Sequence, residues 1–237
     1  MNSKSILFCA FAVSSPALGV FVEAKVGHQN LKFGAKSVRS DLEMEYVGTD
    51  GQRVAEKKTE REPNRDAFEN AAVGGVRVGE DFEDFTLAAD LDFARYNSQP
   101  KTWIDLYSLT TLVHYPWIKR DQYSIYSGVG GSFKMFDTHV EVIEENEEDF
   151  AYNIDFEAME SFNGDLVVGA KYRPIESLVL NVEYKYSDTL ASNGNWARSS
   201  SRGRDENGGT IRASNRIAFE DFRATVQELA LFATWTL

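Results

Sequence analysis

The stretch FTLAADLDFARY, residues 85–96, interleaves two kinds of position. Phe85, Leu87, Ala89, Leu91 and Phe93 are apolar, whereas Thr86, Ala88, Asp90, Asp92 and Ala94 are small or acidic. A period of two is that of a β-strand with unlike faces. Which face meets water decides the fold: charges outward give a soluble sandwich or barrel, charges inward a membrane barrel.

The same alternation recurs along the chain. VFVEAKVG sets Val20, Val22, Ala24 and Val26 against Phe21, Glu23, Lys25 and Gly27. VGGVRVG alternates around Arg77, and YSIYSGVGGSFK places Ile125, Val129 and Phe133 opposite Ser124, Gly128, Ser132 and Lys134. DLVVGAKYR, LVLNVEYKYS and QELALFATWTL repeat the pattern, with Lys171 and Arg173, Glu183 and Lys185, and Glu228 on the mixed side. In IDLYSLTTLVHY the contrast is weak and leaves parity open. With the opening stretch these make eight strands; a ten-stranded count is the rival.

Connection lengths add an independent signal. EDFED, PWIKRDQ and PIES are tight, and NSQPKT is short. The long first, fifth and seventh connections all fall at one end of an up-and-down meander, as in membrane barrels. The first contains strand-like pieces around Asp50-Gly51, a hairpin signal, so such hairpins can project beyond a bilayer.

The mixed faces of the seven clearer strands carry Glu23, Asp90, Asp92, Glu183 and Glu228 with Lys25, Arg77, Lys134, Lys171, Arg173 and Lys185. That near-balance stands out in a chain of net charge -12. Unpaired charges in a confined interior cost several kcal/mol each, so pairing is required there and not on a solvated surface. The opposite face is almost wholly apolar, with Tyr172, Tyr184, Tyr186 and Trp235 near strand ends, where aromatic girdles meet lipid headgroups. The expected fold is therefore an all-β, eight-stranded antiparallel up-and-down transmembrane barrel with long extracellular loops. A lipocalin-like soluble carrier, with its apolar face lining a cavity, is the alternative.

Composition is consistent with that fold. The acidic balance and sequence pI near 4.8 argue against nucleic-acid binding. Lys4, the apolar run Ile6 to Val13 and the small residues Ala17 and Gly19 predict a secretory signal over 1–19, leaving a barrel over 20–237. The single cysteine, Cys9, lies in that signal, so disulfides and thiolate chemistry are not expected in the mature chain.

VFVEAKVG, YSGVGGSF and VVGAKYRPIESLVLNVEYKY together resemble the small outer-membrane β-barrel family of Gram-negative bacteria, the opacity-type and outer-membrane-protein-A-like barrels. The terminal LALFATWTL resembles that family's closing strand, although it ends in Leu237 where an aromatic residue is usual. The resemblance implies location in the cell outer membrane, contact with its lipid and lipopolysaccharide, and recognition by the barrel assembly machinery through the last strand. It also implies a monomer. Family members include adhesins and structural anchors, so fold alone does not choose a function.

Two connections concentrate charge. The fifth holds ten acids and no Lys or Arg, including Glu144, Glu145, Glu147, Glu148 and Asp149; the spacing fits no calcium loop, and a solvated acidic segment is the favoured reading. The seventh carries Arg198, Arg202, Arg204, Arg212 and Arg216, which could bind lipopolysaccharide phosphates or a host polyanion. Pairing with the fifth connection, or plain solvation, is favoured over ligand binding there. Among His28, His114 and His139, only His139, near Asp137 and Glu141, sits where lipid chemistry could occur; no catalytic residue, cofactor or metal site is expected. The functional expectation is a surface anchor presenting its loops, possession of a narrow channel being the second reading and a lipid-modifying enzyme the third.

Overall fold

A computed structural model describes residues 20–62, 67–99, 102–140, 150–156, 158–193, 196–204 and 208–235. The expected signal, the acids Glu144 to Asp149 and the terminal Leu237 lie outside these residues, as does the side chain of Trp235. Eight strands close a barrel: β1 (Val20–Gly34), β4 (Ala67–Asp81), β5 (Thr86–Gln99), β6 (Thr102–Lys119), β7 (Tyr123–Val140), β9 (Met159–Ile175), β10 (Leu178–Asn193) and β13 (Arg223–Trp235). Their order around the ring is β1-β13-β10-β9-β7-β6-β5-β4, and every barrel pairing is antiparallel. β1 pairs with both β13 and β4, so the sheet has no edge. Closure of this kind is what a hydrocarbon environment demands, because lipid offers no partner to a free backbone amide.

The opening stretch is resolved by burial. Asp90 is wholly buried while Leu91 is 64% exposed, and the alternation runs from Leu87 to Asn97. Leu109, Leu166, Leu229 and Leu231 face outward like Leu91; Arg77, Lys25, Glu183 and Lys185 face inward. The barrel is thus apolar outside and polar inside, the transmembrane arrangement, and the carrier alternative is excluded. β6 settles its parity the same way, with Leu106, Ser108, Thr110, Leu112 and His114 inward. Outward aromatics mark two levels: Tyr115, Trp117, Tyr123 and Tyr172 near the tight turns, and Phe68, Phe93, Tyr107, Phe133 and Phe162 toward the other end. Inside, Phe21 and Tyr126 lie opposite Gly79 and Gly169 in register, and their rings occupy the space where a Cβ would sit at those glycines.

The remaining strands form a second structure, not a ninth and tenth barrel strand. β2 (Ser37–Val47), β3 (Arg53–Glu62), β8 (Phe150–Phe156), β11 (Trp196–Arg204) and β12 (Thr210–Glu220) make an open antiparallel sheet in the order β3-β2-β12-β11-β8. It is assembled from all three long connections, at the barrel end opposite the tight turns. The β2–β3 hairpin turns at Gly48 to Gly51, Gly51 having φ 81°. Where the chain re-enters the barrel, Asp221 adopts φ 52°, left-handed for a residue with a side chain. The sharp turn sends Phe222 into the barrel mouth against Phe136, at 5.5 Å between ring centroids, among Leu31, Tyr96 and Leu106. An apolar plug therefore caps the polar interior.

Candidate functional site

Three charged regions compete for the role of functional site: the interior, the outer sheet and the outer wall beneath it. In the interior, Arg77 projects from β4 and is held by two carboxylates. Its Nε and one terminal nitrogen donate to Asp90 at 2.6 and 2.9 Å, and its two terminal nitrogens donate to Glu183 at 2.8 Å each. Glu23 lies 3.9 Å away, and the guanidinium stacks 4.1 Å from the Phe232 ring centroid. Two forked pairs on one guanidinium occupy four of its five N–H donors. The Tyr126 hydroxyl, 2.7 Å from Asn181 Oδ1 and 2.8 Å from Glu183 Oε2, can donate to either. A second node gathers Lys25 and Lys185 around Asp92 and Glu228: Lys25 at 2.7 and 2.5 Å, Lys185 at 3.2 and 3.4 Å. Gln29 donates to Glu228 and accepts from the Tyr96 hydroxyl at 2.8 Å.

Not every predicted interior charge joins this network. Lys134 is buried but joins neither node, and the buried carboxylate Asp165 has no hydrogen-bond partner on either oxygen among the described residues. Lys171 sits near the tight-turn end, 3.8 Å from Asp81 and over the Phe21 ring. Arg173 is a correction: it is exposed rather than interior, because β9 has run past the enclosed part of the barrel by that residue. Alternation gives the inward parity but not where the wall stops. Asp165 was overlooked although it shares the parity of Val167 in DLVVGAKYR. Asp105 had no such signal: it has outward parity yet is buried under Arg95, which donates to it at 2.6 and 2.7 Å.

That Arg95–Asp105 pair belongs to the outer-wall cluster. Asp105 and Asp137 are direct cross-strand partners, and His139 Nε2 lies 3.2 Å from Asp137 and 3.5 Å from Asp105. The His139 ring stacks on Trp103 at 5.3 Å. The cluster orients an imidazole between two carboxylates, and its charges are largely satisfied internally. His28 lies on β1 outside this group, and His114 lies deep in the barrel near the tight turns.

In the outer sheet the pairing register organises the arginines. Arg198 pairs with Arg216 and Arg202 with Arg212, with the Ser200–Ser214 pair between them. Continuing across the sheet, one rung reads Asp155, Arg198, Arg216, Asp41 and the other Ala151, Arg202, Arg212, Glu45. Arg204 pairs with Thr210 at the tip. Like charges directly opposed destabilise a sheet unless countered. By residue type at these register positions, the first rung counts two acids to two arginines and the second one acid to two arginines. The first connection thus supplies counter-charges that sequence reasoning sought only in the fifth. Nearby, Asp41 accepts from the Thr59 hydroxyl at 2.8 Å, which together with Arg39 holds its carboxyl below the usual range. The Ser37 hydroxyl does the same for Glu220 at 2.7 Å, with Arg61 alongside.

No protein-family model and no curated protein matches the chain. Among solved structures it is similar to Neisserial surface protein A, at 11% identity and TM-score 0.46 over 86% of this chain and 95% of that one. It is also similar to Ail, the attachment invasion locus protein of Yersinia pestis, at 9% identity and TM-score 0.36 over 88% and 99%. A third similarity is to the outer membrane protease OmpT from Escherichia coli, at 10% identity and TM-score 0.32 over 90% and 96%.

Proposed function

We propose that this chain is a non-catalytic surface protein of the Gram-negative outer membrane, in which the barrel is the anchor and the second sheet, held outside the bilayer, is the working surface. The observation that carries this reading is the pair of arginine rungs, set on a sheet to which all three long connections contribute. Four residues separate the rungs along each strand, a spacing of about 13 Å. Two forked, always-charged groups at each level suit the repeated sulfate or phosphate groups of a polyanion, whether a host polysaccharide or lipopolysaccharide. The rung containing Arg202 and Arg212 carries the surplus charge and should dominate.

The experiment is binding of a sulfated polysaccharide, and separately of lipopolysaccharide, to the chain in lipid nanodiscs. Arg202→Ser with Arg212→Ser should weaken binding by about tenfold or more and flatten its salt dependence. Undiminished binding would remove the polyanion from the reading. A steady channel is disfavoured because eight strands leave only enough room for side chains, and Arg77, Lys25, Lys134, Lys185 and Phe232 fill it. One observation favours a second reading, lipid modification: His139 is set between two carboxylates on the outer wall. Altered lipid A composition on expression, lost with His139→Asn, would support it.

A further inference from the structure

At the tight-turn end, a cavity of about 360 Å³ opens at the mouth of the barrel. Four cationic side chains line it: Lys119 at the end of β6, Arg120 in the turn that follows, and Lys171 and Arg173 from β9. Asp81 and Asp121 are the only carboxylates among its lining residues, so positive charge is in excess. The two walls are tied together, the Arg173 backbone N–H donating to the Gln122 carbonyl at 2.8 Å. Lys171 has donors to spare: its ion pair with Asp81 is 3.8 Å long, and it makes no hydrogen bond among the described residues. Lys119, Arg120 and Arg173 make no ion pair among the described residues, although Lys119 Nζ donates to the Glu83 carbonyl at 3.2 Å.

His114 also lines the cavity. It is 2% exposed, and neither ring nitrogen has a hydrogen-bond partner among the described residues; Glu183 Oε2 lies 3.7 Å from Nε2. Its ring is held against Tyr126 at 4.8 Å between centroids. A buried polar group without a partner is costly unless a ligand or water completes it.

We propose that this mouth is a binding site for a phosphate-class oxyanion. Donors line the cavity from the β6–β7 turn and from β9, the multidirectional arrangement that a tetrahedral anion with several acceptor oxygens satisfies and a lone chloride does not. The guanidinium of Arg173 supplies a forked contact, and Lys171, steadied over the Phe21 ring at 4.9 Å, supplies a point charge. The site lies at the opposite end of the barrel from the arginine rungs and does not depend on them.

The test uses the chain carrying Arg202→Ser and Arg212→Ser, so that the rungs contribute nothing, in phosphatidylcholine nanodiscs titrated calorimetrically with inorganic pyrophosphate. Saturable binding is expected, weakened about tenfold by Lys171→Gln with Arg173→Gln. Arg173→Gln alone changes an exposed rim residue and cannot be blamed on misfolding; it should weaken binding about threefold, on the order of half a charged hydrogen bond. The His114 imidazole resonances should move with the titration. Exchanging part of the lipid for phosphatidylglycerol identifies the source: loss of pyrophosphate affinity assigns the site to lipid headgroups, unchanged affinity to soluble phosphates. No saturable binding, or equal affinity with Arg173→Gln, would overturn the proposal.

Discussion

The barrel interior and the outer sheet both oppose acids to bases, yet they do so in different media. Around Arg77 and Lys25 the charges are buried, Arg77 through forked contacts and Lys25 through single Nζ contacts to Asp92 and Glu228. On the outer sheet Lys57 pairs with Glu43 at 2.5 Å and Arg61 with Glu220 at 2.9 Å, and all four residues are partly or largely exposed. Exposed pairs contribute about 0–1 kcal/mol, whereas removing one partner of a buried pair costs about 3–5 kcal/mol. The same residue types therefore hold the barrel together in one region and add little to stability in the other.

The largest test of that contrast is Arg77→Met. It strands Asp90 and Glu183 in the interior and should cost about 3–5 kcal/mol, measured by urea unfolding of the vesicle-inserted protein. A loss under 1 kcal/mol would show that the interior is wetter than the geometry implies. Next comes Leu231→Arg on the outward face, expected to cost about 2–4 kcal/mol in the same assay if this surface meets hydrocarbon. A neutral result would reopen the soluble alternative. Lys57→Ala, on the outer sheet, should change barrel stability by less than about 0.5 kcal/mol.

The smallest effect is a pH response confined to the outer sheet. Asp41 and Glu220 have carboxyls held below their ordinary values of 3.8 and 4.5, so their contribution is complete above those values and is lost as pH falls through the depressed ones. Limited proteolysis should therefore find the β2–β3 and β11–β12 hairpins more susceptible below about pH 4, with the barrel still intact. Simultaneous loss of both regions would mean that they do not respond separately.

The eight barrel strands were legible because lipid and lumen impose opposite demands on alternate residues; Asp90 beside Leu91 is enough to set the face. Most of the interior charges followed from the same rule. The outer sheet was not legible, since both of its faces meet water in places: β3, RVAEKKTERE, is exposed at every position and shows no burial alternation. Its legible features are the turn at Asp50-Gly51 and the strand-like pieces that flank it. The arginine rungs depend on pairing between remote connections, which no local pattern encodes. Asp105 escaped for a related reason, its burial being supplied by Arg95 and His139 from neighbouring strands.

The joined hairpins bear on how this surface can vary. Ser40 donates to Asn215 at 2.8 Å across 175 positions, so β2 is stitched to β12 as firmly as to its own hairpin partner. A foreign peptide inserted into one hairpin, or exchange of one hairpin between relatives, must reproduce a register shared with the others or unzip the whole ledge. Sequence change in one hairpin therefore has to be matched in the others, and a grafted sheet keeps its register only if the three segments are transplanted together.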